Sequence, residues 1–216
     1  WQILPLGPTG YGDSPYAPFS SFAGNEILID CHELAEAGLL PDSSLSALDS
    51  LPSHTVDYWA VKQTVLPLLT RAAERFLELH PDDTAYQTFK EQQCYWLDDY
   101  TVFRSIKNYH DEKAQQEGAV STWNTYWPIE LRQHTSKAVL EWKKDHAHEI
   151  EVLKVIQFFF FSQWAKLKRY AKEQGIAIIG DIPIFVALDS ADVWSHPELF
   201  NLDKNFAPIT VAGVPP

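Results

Sequence analysis

The chain has 216 residues, 45% hydrophobic and 13% aromatic, with a formal net charge of -12. Such a composition belongs to one or two folded domains and excludes a disordered chain. The acidity argues against nucleic acid and anionic lipid as partners and favours a neutral ligand.

The first section, residues 1–38, opens on a strand-like apolar run, Trp1, Ile3, Leu4 and Leu6, punctuated by Pro5, Gly7 and Pro8. It gives way to a loop of glycines, hydroxyls and rings that holds Tyr11, Asp13, Ser14, Tyr16, Phe19 and Phe22. Glycine permits the turns, and rings beside hydroxyls are what a sugar requires: a flat apolar face and hydrogen-bond partners. A short helix from Glu33 follows, with Gly38 as its stop. No Met, cap or leader precedes Trp1, so the chain reads as a piece of something larger. Cys31 and Cys94 have no CxxC spacing and read as free thiols in a reducing cytosol.

The second section, 39–150, is polar and helical in pattern. Val56-Asp57-Tyr58 leads into a helix with Val61, Val65, Leu68 and Leu69 at helical spacing, and Pro67 is expected to bend or delimit it. Asp83 to Lys107 forms a second helix, and Glu117 to Pro128 a loop. No internal repeat occurs.

The third section, 151–216, begins with a long helix in which Val152, Val155, Ile156, Phe159, Trp164, Leu167 and Ala171 keep a helical period. Its most apolar run, Val155 to Phe161, contains Gln157 and is too short to span a bilayer. Gly175 caps it, and Ile176-Ala177-Ile178-Ile179 then reads as a buried parallel strand ending at Gly180-Asp181. Helix, short connection, strand and a terminal carboxylate make the unit of an α/β barrel or a doubly wound sheet. In barrels the chemistry sits at the C-terminal ends of strands, which makes Asp181 the best single candidate. A buried carboxylate there needs a cation or hydrogen-bond donors.

Other clusters read more plainly. Asp98 and Asp99 are adjacent on a helix and point about 100° apart, so they form a solvated or salt-bridged face and not a catalytic pair. His146, His148 and Glu149 lack metal-ligand spacing. Asp189 or Ser190 suits the N-cap of a helical turn through Trp194. Phe158 to Phe161 is a core or interface stripe.

Several longer runs resemble one family. WQILPLGPTGYGDSPY, SSFAGN, LID, WLDDYTVFRSIK, QWAKLKRYAKEQGIAIIGDIPIFVALDSADVW and VAGVPP are similar to the 4-alpha-glucanotransferases, the amylomaltase or disproportionating-enzyme group of glycoside hydrolase family seventy-seven. The resemblance implies an α/β fold, part of a (β/α)8 TIM barrel with a largely helical insertion between two barrel strands. It implies transfer of α-1,4-glucan segments between maltooligosaccharides or to glucose, by a retaining double displacement in the cytoplasm with no cofactor and no metal. On it, Asp181 matches the GDxPIFVA aspartate of the donor-side site, beside an arginine. Ser14 and Tyr16 match the DSPY loop lining the same site. Tyr11 matches a tyrosine of a secondary glucan-binding position, and Ala212 to Pro216 match the start of a loop that covers the glucan. No catalytic residue is assigned here: the carboxylates are expected beyond Pro216, so the chain resembles an internal fragment without activity of its own. An incomplete barrel also exposes strand edges and apolar surface, from which poor solubility is expected. Two departures stand out: Glu26 where a proline is usual, and Asn205-Phe206 where a glycine is frequent.

Two other readings compete. A non-catalytic α-glucan-binding module would use the same aromatic loop. An α-amylase-like hydrolase shares barrel and mechanism, but the segment after Asp181 lacks the Asn-His ending of amylases.

Overall fold

A computed structural model of the chain describes residues 1–183 and 185–211; Ile184 and the expected loop start at Ala212–Pro216 lie outside them. Seven α-helices occur among the described residues: α1 (Cys31–Glu36), α2 (Tyr58–Leu79), α3 (Thr84–Glu117), α4 (Ile129–Arg132), α5 (Lys137–Asp145), α6 (Ala147–Glu173) and α7 (Ala191–Ser195). β-pairing among them is limited to isolated bridges. The chain divides into two compact units, each drawn from all three sections of the sequence.

The first unit comprises Trp1–Ile3, Gly24–Cys94 and Glu151–Gly180. Asp57 caps α2 by accepting from the Ala60 amide at 3.0 Å. The helix then runs through Pro67 to Leu79, so the proline does not delimit it. An interior proline costs about 3 kcal/mol. Its neighbours Val65, Leu68, Leu69, Ala72 and Phe76 are all buried, at up to about 1.5–3 kcal/mol for each large apolar side chain, which outweighs that cost. Phe76 meets Tyr86, Phe158 and Phe159, and Phe89 meets Phe158 and Phe161, so the phenylalanine stripe of α6 is core.

Two glutamines of α6 hold irregular backbone in place of sheet hydrogen bonds. Gln157 accepts from Gly24 N at 2.8 Å and donates to Gly24 O at 3.0 Å. Gln163 does the same for Asp30, at 2.8 and 3.0 Å. Only glycine fits at position 24, because a Cβ there would lie 1.9 Å from the Phe160 ring.

Gly175, at φ 71°, closes α6: its own amide donates to Lys172 O and that of Ile176 to Ala171 O. Beyond it, Gln2 and Ile179 form a parallel bridge, with Ile179 N donating to Trp1 O at 2.8 Å and Ile3 N to Ile179 O at 3.0 Å. The two strand-like runs therefore pair in parallel, but over a single bridge. The expected burial is corrected: Ile176 is 48% exposed and Ile179 62%. A run of β-branched residues is buried only when both faces of its sheet are covered, and within this unit the described residues pair it with 1–3 alone.

The second unit comprises Leu4–Ala23, Tyr95–Ile150 and Asp181–Pro216. Its centre is Phe103, Trp127 and Trp194, all fully buried, with ring centroids 5.4 to 6.2 Å apart. Two buried indoles donate to carbonyls: Trp194 Nε1 to Leu131 O at 2.9 Å and Trp123 Nε1 to Leu188 O at 2.7 Å. α3 runs on past Lys107 to Glu117. Ser190 caps α7 through the Val193 amide. At the turn where a glycine is frequent in the resembled family, Phe206 takes φ 62°. Asp203 ties that turn down by accepting from Asn205 N and Ala207 N, and the Phe206 ring packs on Trp123 at 5.3 Å.

Candidate functional site

Ser14, Tyr16 and Asp181 all lie in the second unit, where Tyr16 reaches Asp181. The loop that carries the first two is a hairpin: Thr9 bridges Pro18, Gly10 N donates to Ala17 O at 3.2 Å, and Phe19 N donates to Pro8 O at 2.8 Å. Position 10 requires glycine because a Cβ would fall 2.7 Å from Ala17 O. The tip, Tyr11–Asp13, is a 3-10 turn with Gly12 and Asp13 in the left-handed region. Phe19 O accepts from Ala191 N, and the Asp192 carboxylate accepts from Ser21 N at 3.0 Å, so the loop is fastened to the start of α7.

Ser14 shapes the turn, its Oγ accepting from Tyr16 N at 3.2 Å. Tyr16 then donates its phenol to Asp181 Oδ2 at 2.7 Å. Asp181 Oδ1 accepts from Ile182 N at 2.8 Å. The hydrogen bond to Asp181 pushes the Tyr16 phenol above the ordinary tyrosine range, with desolvation and the carboxylate's charge adding to it. Asp181 is exposed, not buried as its place after an apolar run suggested, and hydroxyl and amide donors serve it. A carboxylate with two oxygens carries about four lone-pair sites, so capacity remains on both for a ligand's hydroxyls. Tyr16 itself is 45% exposed.

Tyr11 goes elsewhere. Its Oη accepts from Lys107 Nζ at 3.3 Å, and its ring sits edge-on to Phe19 at 6.3 Å. Lys107 has no exposed surface. It pairs with Asp189 Oδ2 at 2.7 Å and Asp111 Oδ1 at 3.0 Å, and donates to Ser121 O at 3.3 Å. Burial alone would lower the lysine's pKa, but Asp189, Asp111 and Tyr11 outweigh it and raise it. Sequence reasoning missed this cluster. The available signal was Lys107 itself, which continues the buried stripe Phe103, Ile106, His110 and Ala114 of α3.

Elsewhere, Asp99 pairs with His134 Nε2 at 2.7 Å. Burial would raise its carboxyl, but the hydrogen bond and charge of His134, with Lys143 and His196, hold it below the usual range. His146 stacks on Trp142 at 3.9 Å. Among the described residues no three His, Cys, Asp or Glu side chains are grouped to hold a metal ion.

The family model of the 4-alpha-glucanotransferases matches residues 1–216. The chain belongs to the 4-alpha-glucanotransferase family. It is 45% identical to a 4-alpha-glucanotransferase from Thermus thermophilus and 41% identical to one from Streptococcus pneumoniae, in each case over all of this chain and 41% of the relative. A solved structure, an amylomaltase from Streptococcus agalactiae in complex with acarbose, superposes with a TM-score of 0.87 at 33% identity, covering all of this chain and 42% of that one. The chain thus spans about two fifths of the length of the 4-alpha-glucanotransferases it matches.

Proposed function

We propose that this chain forms part of the glucan-binding wall of a 4-alpha-glucanotransferase, with Ser14, Tyr16 and Asp181 contacting an α-1,4-glucan and Tyr11 at a secondary position. The observation that carries the reading is the 2.7 Å hydrogen bond from Tyr16 to Asp181, which joins the aromatic loop to the carboxylate after Ile179 and leaves oxygens open for sugar hydroxyls. The fold proposed is part of a (β/α)8 barrel, with 1–38 as barrel strand and loop, 39–150 as helical insertion, and 151–216 as barrel helix, strand and loop start. The parallel bridge of Gln2 with Ile179 supports it.

The reaction proposed is retaining transfer of glucan segments between maltooligosaccharides or to glucose, through a carboxylate nucleophile and an acid/base partner. None of those carboxylates is assigned to this chain. A cytoplasmic site of action fits two free cysteines.

Titration of the 216-residue chain with maltoheptaose tests the reading. Weak, saturable binding that disappears in Asp181→Ala is expected, with no disproportionation of maltotriose. Turnover by the purified chain overturns the assignment of catalysis elsewhere. Tight binding favours a self-sufficient glucan-binding module instead.

A further inference from the structure

Lys107 is the least expected residue of the second unit, a lysine with no exposed surface on the core side of α3. An ammonium has three protons to give. Around Nζ stand Asp189 Oδ2 at 2.7 Å, Asp111 Oδ1 at 3.0 Å, Tyr11 Oη and Ser121 O at 3.3 Å each, and Ser121 Oγ at 3.5 Å. The Ser121 hydroxyl also donates to Asp111. Asp189 is buried and accepts from the Trp123 amide at 3.1 Å as well.

Stability alone is a poor account of this arrangement. A buried ion pair gains little over a well-packed apolar pair of the same shape. What an apolar pair cannot do is hold a hydroxyl. The one contact of Nζ that reaches the hairpin tip is with the Tyr11 oxygen. Nζ lies 3.3 Å from that oxygen and 5.3 Å from the ring centroid, so it grips the hydroxyl end and does not cover the ring's face. Tyr11 remains 55% exposed, on a turn whose next two residues are both left-handed.

We propose that Lys107 is a positioning residue, holding Tyr11 through its phenol oxygen so that the exposed ring is already oriented when an α-glucan arrives. The proposal rests on the functional reading of Tyr11 given above. A ring freed from this hold must be ordered on binding, which corresponds to about three- to tenfold in affinity.

A double-mutant cycle in the 216-residue chain tests it, with maltoheptaose as the probe and amide NMR shifts around Tyr11 as the readout. Lys107→Met with Asp189→Asn removes both members of the buried pair together. That replacement is expected to weaken binding about three- to tenfold in the parent chain and less than twofold when Tyr11→Phe is already present. An equal loss in both backgrounds means Lys107 is merely structural and overturns the proposal, as does no loss in either. If maltoheptaose moves no signal near Tyr11 in the parent chain, the functional reading of Tyr11 falls, and the proposal with it. Should the paired replacement fail to fold, Tyr11→Phe alone decides. It breaks the contact without touching a buried charge, and is expected to weaken binding about threefold and to speed hydrogen exchange at Gly10 and Phe19. Unchanged affinity and exchange overturn the proposal.

Discussion

Two contacts in the second unit look alike on paper. Lys107 to Asp189 and Tyr16 to Asp181 each bring a side chain to an aspartate of the 181–190 segment, and both measure 2.7 Å. Their surroundings separate them. Asp189 and Lys107 are sealed among Tyr11, Ser121, Asp111 and the Trp123 amide, and solvent cannot replace either partner. Tyr16 and Asp181 are open, and Asp181 keeps unused acceptor sites. Bond length therefore says little about role. The sealed pair organises the loop, and the open pair is free to exchange its hydrogen bonds for those of a ligand.

The comparison is most easily broken at the sealed pair. Lys107→Ala strands the Asp189 carboxylate and is expected to cost about 3–5 kcal/mol, read from urea denaturation followed by circular dichroism. A cost near zero would mean that solvent reaches Asp189 after all. The paired Lys107→Met with Asp189→Asn change should recover most of that loss. A control sits in the first unit: Gly24→Ala drives a methyl into the Phe160 ring and should cost about 1–3 kcal/mol or more, with no change in maltoheptaose affinity where the variant stays folded.

The open pair should behave in reverse. Tyr16→Phe is expected to change stability by less than about 0.5 kcal/mol, as exposed substitutions do. It should nonetheless weaken maltoheptaose binding by about two- to tenfold, the worth of one hydrogen bond, measured by NMR titration.

The smallest effects are in pH dependence. Lys107 has a raised pKa in the folded chain, so its contribution is fully present below the ordinary lysine value of about 10.4 and is lost as pH rises through the folded value. Alkaline melts should accordingly narrow the stability gap between the parent chain and the paired variant. Tyr16, raised by its hydrogen bond to Asp181, should ionise above an ordinary tyrosine in an ultraviolet titration, and Asp181→Asn should bring it down.

Local chemistry was legible in the sequence where it acts within a few residues. Gly175 closes α6, Asp57 opens α2, and Ser190 opens α7, because each cap binds backbone of its own turn. Pro67 does not end α2, because the buried face around it is a tertiary property. Ile176 to Ile179 carry the composition of a buried strand, but burial depends on neighbours that a local pattern does not contain. The loop and Asp181 were each singled out, and their direct hydrogen bond ties residues 165 positions apart. Lys107 is harder to read: lysine is so rarely buried that its place on an apolar stripe is easily taken for a solvated residue. Nothing near it in sequence announces Asp189 or Tyr11 as partners.

The central claim is that the Tyr16–Asp181 pair contacts an α-glucan. Amide NMR of the 216-residue chain during maltoheptaose titration tests it most directly. The account predicts saturable shifts at Ser14, Tyr16 and Ile182 that vanish in Asp181→Ala. Shifts that leave those three amides untouched, or that persist unchanged in Asp181→Ala, would contradict it.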